Sequence, residues 1–386
     1  MRQGNARQRD AKINVTGITM DLRVTYHLTA ADGRDAATRA RDIALEQTVE
    51  LAADAVPADV AERIVGRVES VEPLGAARWR AVIAFDPVVV GRDLPQLLNL
   101  LFGNISLKPE ILIAGVAWPP ELLAVLGGPT LGIAGLRELT GARERALLCT
   151  ALKPLGLTAA ELAERCHRFA LGGIDLIKDD HSLVDQPAAP FRERVERCQE
   201  AVARANRATG GRALYFPNVT AGAAVALERA GFARHAGCRG VVINALPAGL
   251  DTVRAVAATG LAVMTHPSLA GAFFHAHHGI APEVLLGEIF RVAGSDAVIY
   301  PNVGGRFTFS EDTCVAINDH LRHPLGGLRP AFPVPAGGID VARVPHWIGR
   351  YGADTIFLVG GSLYAQHDLT AAARQLSEAV RRHPHE

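Results

Sequence analysis

Four consecutive residues, Lys178-Asp179-Asp180-His181, put an ammonium, two carboxylates and an imidazole side by side. They follow Gly172-Gly173-Ile174-Asp175-Leu176-Ile177, a glycine pair and an apolar run. A segment that is apolar along its length and polar where it exits reads as a buried strand of a parallel sheet. Reactive groups at the C-terminal ends of strands are where a (β/α)8 barrel keeps its active site. Other tips are similarly polar: Lys153-Pro154, Asn218, Asn244, His266, and the run Asn302-Val303-Gly304-Gly305-Arg306. Two further tips carry glycine pairs, Gly337-Gly338 and Gly360-Gly361. In one barrel these tips converge on one mouth, and two lysines, an acid, amides and imidazoles face two glycine pairs. Loops after the seventh and eighth strands are the usual phosphate grip of this fold, with glycine letting backbone N–H groups approach the anion. The pattern predicts a phosphorylated substrate.

Positioning these groups takes a regular alternation of strand, turn and helix, and the chain supplies it from about residue 146. The spacing predicts strands over 146–153, 174–179, 213–218, 240–245, 261–266, 297–301, 332–336 and 355–359, with helices over 158–170, 191–207, 220–235 and 367–382. Eight strands in about 240 residues predict a (β/α)8 TIM barrel. An open doubly wound sheet would have fewer strands and a GxGxxG after the first, which is absent. Residues 18–140 have another texture. Alternation over 20–28 (Leu22, Val24, Tyr26, Leu28), and runs at 63–71 and 77–85, predict an antiparallel sheet with helices over 39–52 and 94–101. The fold class is α/β: an N-terminal α+β (ferredoxin-like) domain over 18–140 and a barrel domain over 141–386.

Composition narrows the partners. The 386 residues are 49% hydrophobic and 21% charged, with a formal net charge of zero and a mean hydropathy of +0.15. No basic face is implied, which argues against nucleic acid and anionic membrane. Five scattered cysteines without a CxxC pair predict a reducing, cytoplasmic setting. No apolar run reaches the length of a membrane span. Met1 to Lys12 is polar and Arg-rich, expected as a frayed tail rather than a signal peptide.

Each feature alone has an ordinary reading. A Lys or Asp at a strand end is often a solvated loop residue, His266 suits a satisfied core histidine, and glycine pairs suit plain turns. His275, His277 and His278 look like metal ligands, but are expected on a helix after the fifth strand with a surface or interface role.

In combination the residues resemble the ribulose-1,5-bisphosphate carboxylase/oxygenase (RuBisCO) large chain and, more closely, its non-carboxylating RuBisCO-like (form IV) relatives of the non-photosynthetic branch. Gly172 to Asp180 is similar to the family's Gly-Gly-x-Asp-x-x-Lys-Asp-Asp segment. The resemblance implies that Lys178 becomes a carbamate holding Mg²⁺ with Asp180 and His181, and that Lys153 handles protons. It implies that Glu46 and Asn104 reach a neighbouring chain's site in a homodimer or a higher oligomer of dimers, and that His266 matches the fifth-strand histidine. Arg306 takes the place of the mobile-loop lysine, and Gly337, Gly338, Gly360 and Gly361 match the phosphate turns.

The departures are equally specific. His181 stands where the carboxylase has a third metal acid, and an imidazole is a weaker ligand for hard Mg²⁺. Pro267, Ala336 and Ile299 or Tyr300 replace groups that grip a second phosphate. This argues against CO2 fixation. The resemblance implies a metal-stabilised enediolate on a phosphorylated keto sugar acid, with decarboxylase or isomerase outcomes and 3-oxo-isoapionate 4-phosphate as the leading substrate. The alternatives are an enolase or isomerase of methylthio-sugar phosphates, or a non-catalytic binding or regulatory relative.

Overall fold

The computed structural model describes residues 20–307 and 309–383, so the tail expected over Met1–Lys12 lies outside the described residues. The chain divides into two compact units, one running through Leu126 and including Ala276–Ile280, the other holding Gly127–His275 and the chain from Ala281.

The first unit is built on β1 (Leu22–Thr29), β2 (Arg67–Gly75), β3 (Arg78–Phe85) and β4 (Ile111–Ala117). Strand β1 pairs antiparallel with β3 and β4, and β2 with β3. Leu22, Val24, Tyr26 and Leu28 of β1 are buried, as alternation requires of a sheet with one covered face. Three features differ from expectation. Helix α1 spans Gly33–Glu46 because the Asp32 carboxylate caps it, accepting from the Arg34 and Asp35 amides. A short helix, Ala58–Ile64, follows Pro57, and the next strand begins only at Arg67. Strand β4, absent from the sequence reading, accepts His278–Ile280 in parallel register, so the sheet is mixed.

The second unit is a barrel. Its strands are β5 (Leu147–Leu152), β6 (Leu176–Asp179), β7 (Leu214–Phe216), β8 (Gly240–Asn244), β9 (Ala262–His266), β10 (Ala297–Pro301), β11 (Phe332–Ala336) and β12 (Ile356–Leu358). They pair in the order β7-β6-β5-β12-β11-β10-β9-β8. The sheet's ends meet where the Val242 amide donates to Pro217 O at 2.9 Å and the Val219 amide to Val242 O at 3.0 Å. The eight predicted strands and the helices Ala159–Leu171, Phe191–Thr209, Ala223–His235 and Leu369–Arg382 fall within a few residues of expectation.

Side chains fill the interior, among them Leu147, Cys149, Leu176, Phe216, Val242, Met264, Val334 and Ile356. Burying each large apolar group contributes about 1.5–3 kcal/mol. Gly240 is required there, because a Cβ would sit 2.3 Å from the Phe216 ring. Ile133 and Leu136 of the helix Gly132–Thr140 belong to the same cluster. That packing draws the helix into the barrel unit, so the division falls after Leu126 where the sequence reading placed it after residue 140.

Candidate active site at the barrel mouth

Strand β6 delivers its charged residues to opposite sides, because successive side chains alternate. Asp179 faces away from the mouth and is fully buried. Its carboxylate accepts from Arg194 Nε at 3.1 Å, the Tyr215 hydroxyl at 2.7 Å and the Asn218 amide at 2.9 Å. Fully buried and bonded three times, Asp179 ties β6 to its neighbours and does not face a substrate.

Lys178 and Asp180 face the mouth. Lys178 is 1% exposed, and its ammonium donates to Asp179 O at 3.0 Å. Burial pushes its pKa below the usual lysine value, against the opposing charges of Cys149 and Asp180. Asp180 Oδ2 lies 2.8 Å from Lys153 Nζ, and Oδ1 lies 3.3 Å from His181 Nδ1. Burial pushes the Asp180 carboxyl up, but hydrogen bonds from His181 and Lys153 and the charges of Lys178 and Lys153 outweigh it and hold it well below the usual carboxylate range.

The His181 ring stacks on His266, with centroids 4.5 Å apart and planes within 4°. His266 Nδ1 lies 2.8 Å from Ser268 Oγ. Burial, helped by Lys178 and His181, pushes the His266 imidazole down to about 2, so it is neutral at physiological pH. Asn218 and Asn244 fix the turn after β6: each donates its side-chain amide to His181 O at 2.9 Å. The barrel thus gathers Lys153, Lys178, Asp180, His181 and His266 into one cluster from β5, β6 and β9.

Sequence reasoning missed the groups that hold Lys153. Tyr364 donates its hydroxyl to Ala151 O at 2.9 Å and accepts from the Lys153 amide at 3.0 Å. Arg165 donates to Lys153 O at 2.6 Å and lies over the Tyr364 ring. A tyrosine six residues past the end of the eighth strand carries no local sign of this role.

At the predicted phosphate turns, Gly337 and Gly338 adopt φ of 95° and 66°. A Cβ on Gly338 would sit 2.2 Å from Val303 O, so glycine is obligatory there. Asn302 donates to Gly337 O at 3.2 Å and Trp347 to Gly338 O at 3.3 Å. Gly360 and Gly361 open the short helix Gly361–Tyr364, and the first amides of a helix lack intrahelical acceptors. Tyr300 points outward, its hydroxyl on Asn318 at 2.6 Å, which leaves Ile299 as the inward residue. Arg306 is exposed on the loop after β10, and no hydrogen bond among the described residues joins it to the lysine cluster.

In the other unit, Asn104 donates to Glu46 at 3.2 Å and Lys108 approaches the same carboxylate at 3.4 Å. Buried Gln47 ties the two segments, donating to Asn99 O at 2.8 Å and Leu100 O at 2.7 Å and accepting from the Ile105 amide at 3.2 Å. The structure therefore brings Glu46 and Asn104 together and adds Lys108. The three histidines behave otherwise. Phe274–His275 and His278–Ile280 are short strands, not a helix, because the segment adds to the sheet edge at β4. His277 pairs with Arg78, and His278 packs on Phe102.

A profile of the ribulose bisphosphate carboxylase large chain, catalytic domain, matches residues 132–382. Ribulose bisphosphate carboxylase-like protein 1 of Rhodopseudomonas palustris is 42% identical over 364 residues, 93% of this chain and 97% of its own length. The chain belongs to the RuBisCO large-chain family. Among its RuBisCO-like relatives, a 5-methylthioribulose-1-phosphate isomerase of Rhodospirillum rubrum is 42% identical over 356 residues, 91% of this chain and 93% of its own. A crystal structure of a RuBisCO-like protein from Rhodopseudomonas palustris superposes with a TM-score of 0.87 at 39% identity, covering 95% of this chain and 99% of that one.

The family's Mg²⁺ fits this RuBisCO-like mouth in one form of the residues. As they stand, Asp180 and His181 offer one carboxylate and one imidazole, and no group of three or more His, Cys, Asp and Glu residues gathers as a metal site among the described residues. Carbamylation of Lys178 would add a second anionic oxygen donor beside Asp180, a set that suits an ion retaining several waters. The lowered proton affinity of buried Lys178 favours the free amine that such a modification needs.

Proposed function

We propose that this RuBisCO-like chain is an isomerase that moves a proton beside the carbonyl of a singly phosphorylated keto sugar, with 5-methylthioribulose 1-phosphate as the leading substrate. The observation that carries the reading is the Lys153–Asp180 pair, 2.8 Å apart at the barrel mouth and steadied by Tyr364 and Arg165. A proton carrier fixed against a carboxylate is what enolisation needs. The 42% identical isomerase supports isomerisation over the decarboxylation of a branched keto acid phosphate such as 3-oxo-isoapionate 4-phosphate.

Lys153, as the amine, takes the proton from the hydroxyl-bearing carbon beside the carbonyl; the C–H electrons become the C=C bond of an enediolate as the carbonyl π pair moves onto oxygen, the hydroxyl proton passes to that oxygen, and a proton returns to the former carbonyl carbon, so nothing is gained or lost overall. Neutral His266 donates a hydrogen bond to the developing oxyanion. Gly337, Gly338, Gly360 and Gly361 present backbone to the phosphate, and Arg306 closes over it. Mg²⁺, held by carbamylated Lys178, Asp180 and His181, would supply Lewis-acid stabilisation of that oxyanion. The site lacks the groups for a second phosphate, since Pro267, Ala336 and Ile299 stand in their places. Glu46 and Asn104 complete the partner's site in a homodimer, consistent with their shared cluster.

The test offers the enzyme 5-methylthioribulose 1-phosphate, the branched keto acid phosphate and ribulose 1,5-bisphosphate, following phosphorus resonances and CO2 together. An isomerised first substrate without CO2 release supports the reading. CO2 release from the second alone, or labelled CO2 entering phosphoglycerate from the third, overturns it. Two further checks are independent. Calorimetry should show weaker Mg²⁺ binding in Lys178→Ala, and verified mixed dimers of Lys178→Ala with Asn104→Ala should regain activity.

A further inference from the structure

The barrel's other end carries a concavity of about 740 Å³, lying where the helices Gly132–Thr140, Ala159–Leu171 and Phe191–Thr209 finish and the next strands start. Five arginines line it, Arg143, Arg145, Arg212, Arg374 and Arg381, against two carboxylates, Asp175 and Glu378. Both acids are already engaged. Asp175 accepts from the two terminal nitrogens of Arg145 at 2.8 and 2.7 Å, and Glu378 accepts from Arg382 at 3.0 Å.

Cations at helix C-termini need no ligand to explain them, since they offset the dipole and donate to the last carbonyls. Arg143, Arg212, Arg374 and Arg381 do not donate there. Among the described residues none of the four side chains makes a hydrogen bond or ion pair. Four exposed, uncommitted arginines therefore line one hollow of a chain whose net charge is zero. Like charges gathered this way repel unless an anion joins them.

We propose that this basin binds a small polyphosphorylated anion, a chain of phosphates with three or more negative charges. The guanidinium fork matches phosphate oxygens in pairs, and arginines drawn from two loops and one helix offer forks for more than one phosphate. The volume lies in the range of small-ligand sites, and a local hollow on a chain of zero net charge gives no long basic track for an extended nucleic acid. The basin is separate from the mouth, so its occupancy is a second input to the protein.

The experiment titrates the full-length chain with inorganic triphosphate by calorimetry. Saturable binding is expected, weakening as salt is raised. The double reversal Arg374→Glu/Arg381→Glu should weaken it at least tenfold, as should Arg143→Ala/Arg212→Ala on the facing loops, and thermal melting reports whether each variant is folded. Lys153→Ala, at the mouth, should bind triphosphate unchanged. A nucleoside triphosphate binding as tightly as the inorganic chain assigns recognition to the phosphates alone, and tighter binding assigns it to a nucleotide. Absence of saturable binding, equal binding by both folded arginine variants, or loss of binding in Lys153→Ala would overturn the proposal.

Discussion

The two ends of the barrel use the same residue types for different ends. Beneath the strands, charges are saturated by fixed partners. Asp296 accepts from the Leu131, Gly132 and Val263 amides at 2.7, 2.6 and 2.8 Å, and Arg137 reaches Asp354 at 2.6 Å and Ala142 O at 2.7 Å. Above the strands, Lys153 is 39% exposed along its side chain and Asp180 15%, and their partners are other titratable groups. The lesson is that saturation, more than residue type, separates a structural charge from a chemical one. Neighbouring Asp179 and Asp180 make the point at the end of one strand. The arginine basin is the exception at the lower end, and there too it is the unsaturated charges that point to a ligand.

The comparison breaks if a saturated group proves catalytic or an unsaturated one proves structural. The largest expected effect is on turnover in Lys153→Ala, a loss of about 10²–10⁴-fold with the melting temperature little changed, as removal of a positioned proton carrier gives. Asp179→Ala should destabilise the fold by about 3–5 kcal/mol in denaturant unfolding, because it strands buried Arg194. Asp180→Asn should instead lose activity while unfolding at nearly the wild-type denaturant concentration.

His266 sharpens the contrast through pH. Its folded pKa lies far below the unfolded value of about 6.5, so the unfolded chain takes up the proton first. Its contribution to stability is complete above pH 6.5 and is lost as pH falls toward 2. The slope approaches about 1.4 kcal/mol per pH unit at most. Unfolding measured from pH 7 to 5 should be flatter in His266→Gln than in wild type; parallel curves would mean that His266 is protonated in the fold. The smallest effect is expected for Tyr364→Phe. Loss of a hydroxyl that bridges Ala151 O and the Lys153 amide should cost about tenfold in turnover or less, with substrate affinity held.

The barrel was legible because strands buried on both faces announce themselves as apolar runs, and their tips as polar residues: 297–301 and 332–336 were placed to the residue. Alternation also marked β1. The first unit was harder, since Asp32 as a cap and Pro57 as a helix start set boundaries that apolar spacing alone misses. Strand β4 contains a glycine and neither alternates nor ends in polar residues, and its partner at His278–Ile280 lies far along the chain, so neither had a clear local signal. At the site, Lys153, Lys178, Asp180, His181 and His266 were legible as strand tips. Tyr364, Arg165 and Lys108 were not, because they act through contacts over 12 to 213 residues of sequence.

The central claim is that Lys153 carries a proton beside a carbonyl, and solvent exchange tests it most directly. Wild-type enzyme incubated in deuterium oxide with 5-methylthioribulose 1-phosphate should place deuterium on the carbon beside the carbonyl in both recovered substrate and isomer, seen by proton NMR. Folded Lys153→Ala should leave that position unlabelled. Unchanged labelling in the folded variant would contradict the account.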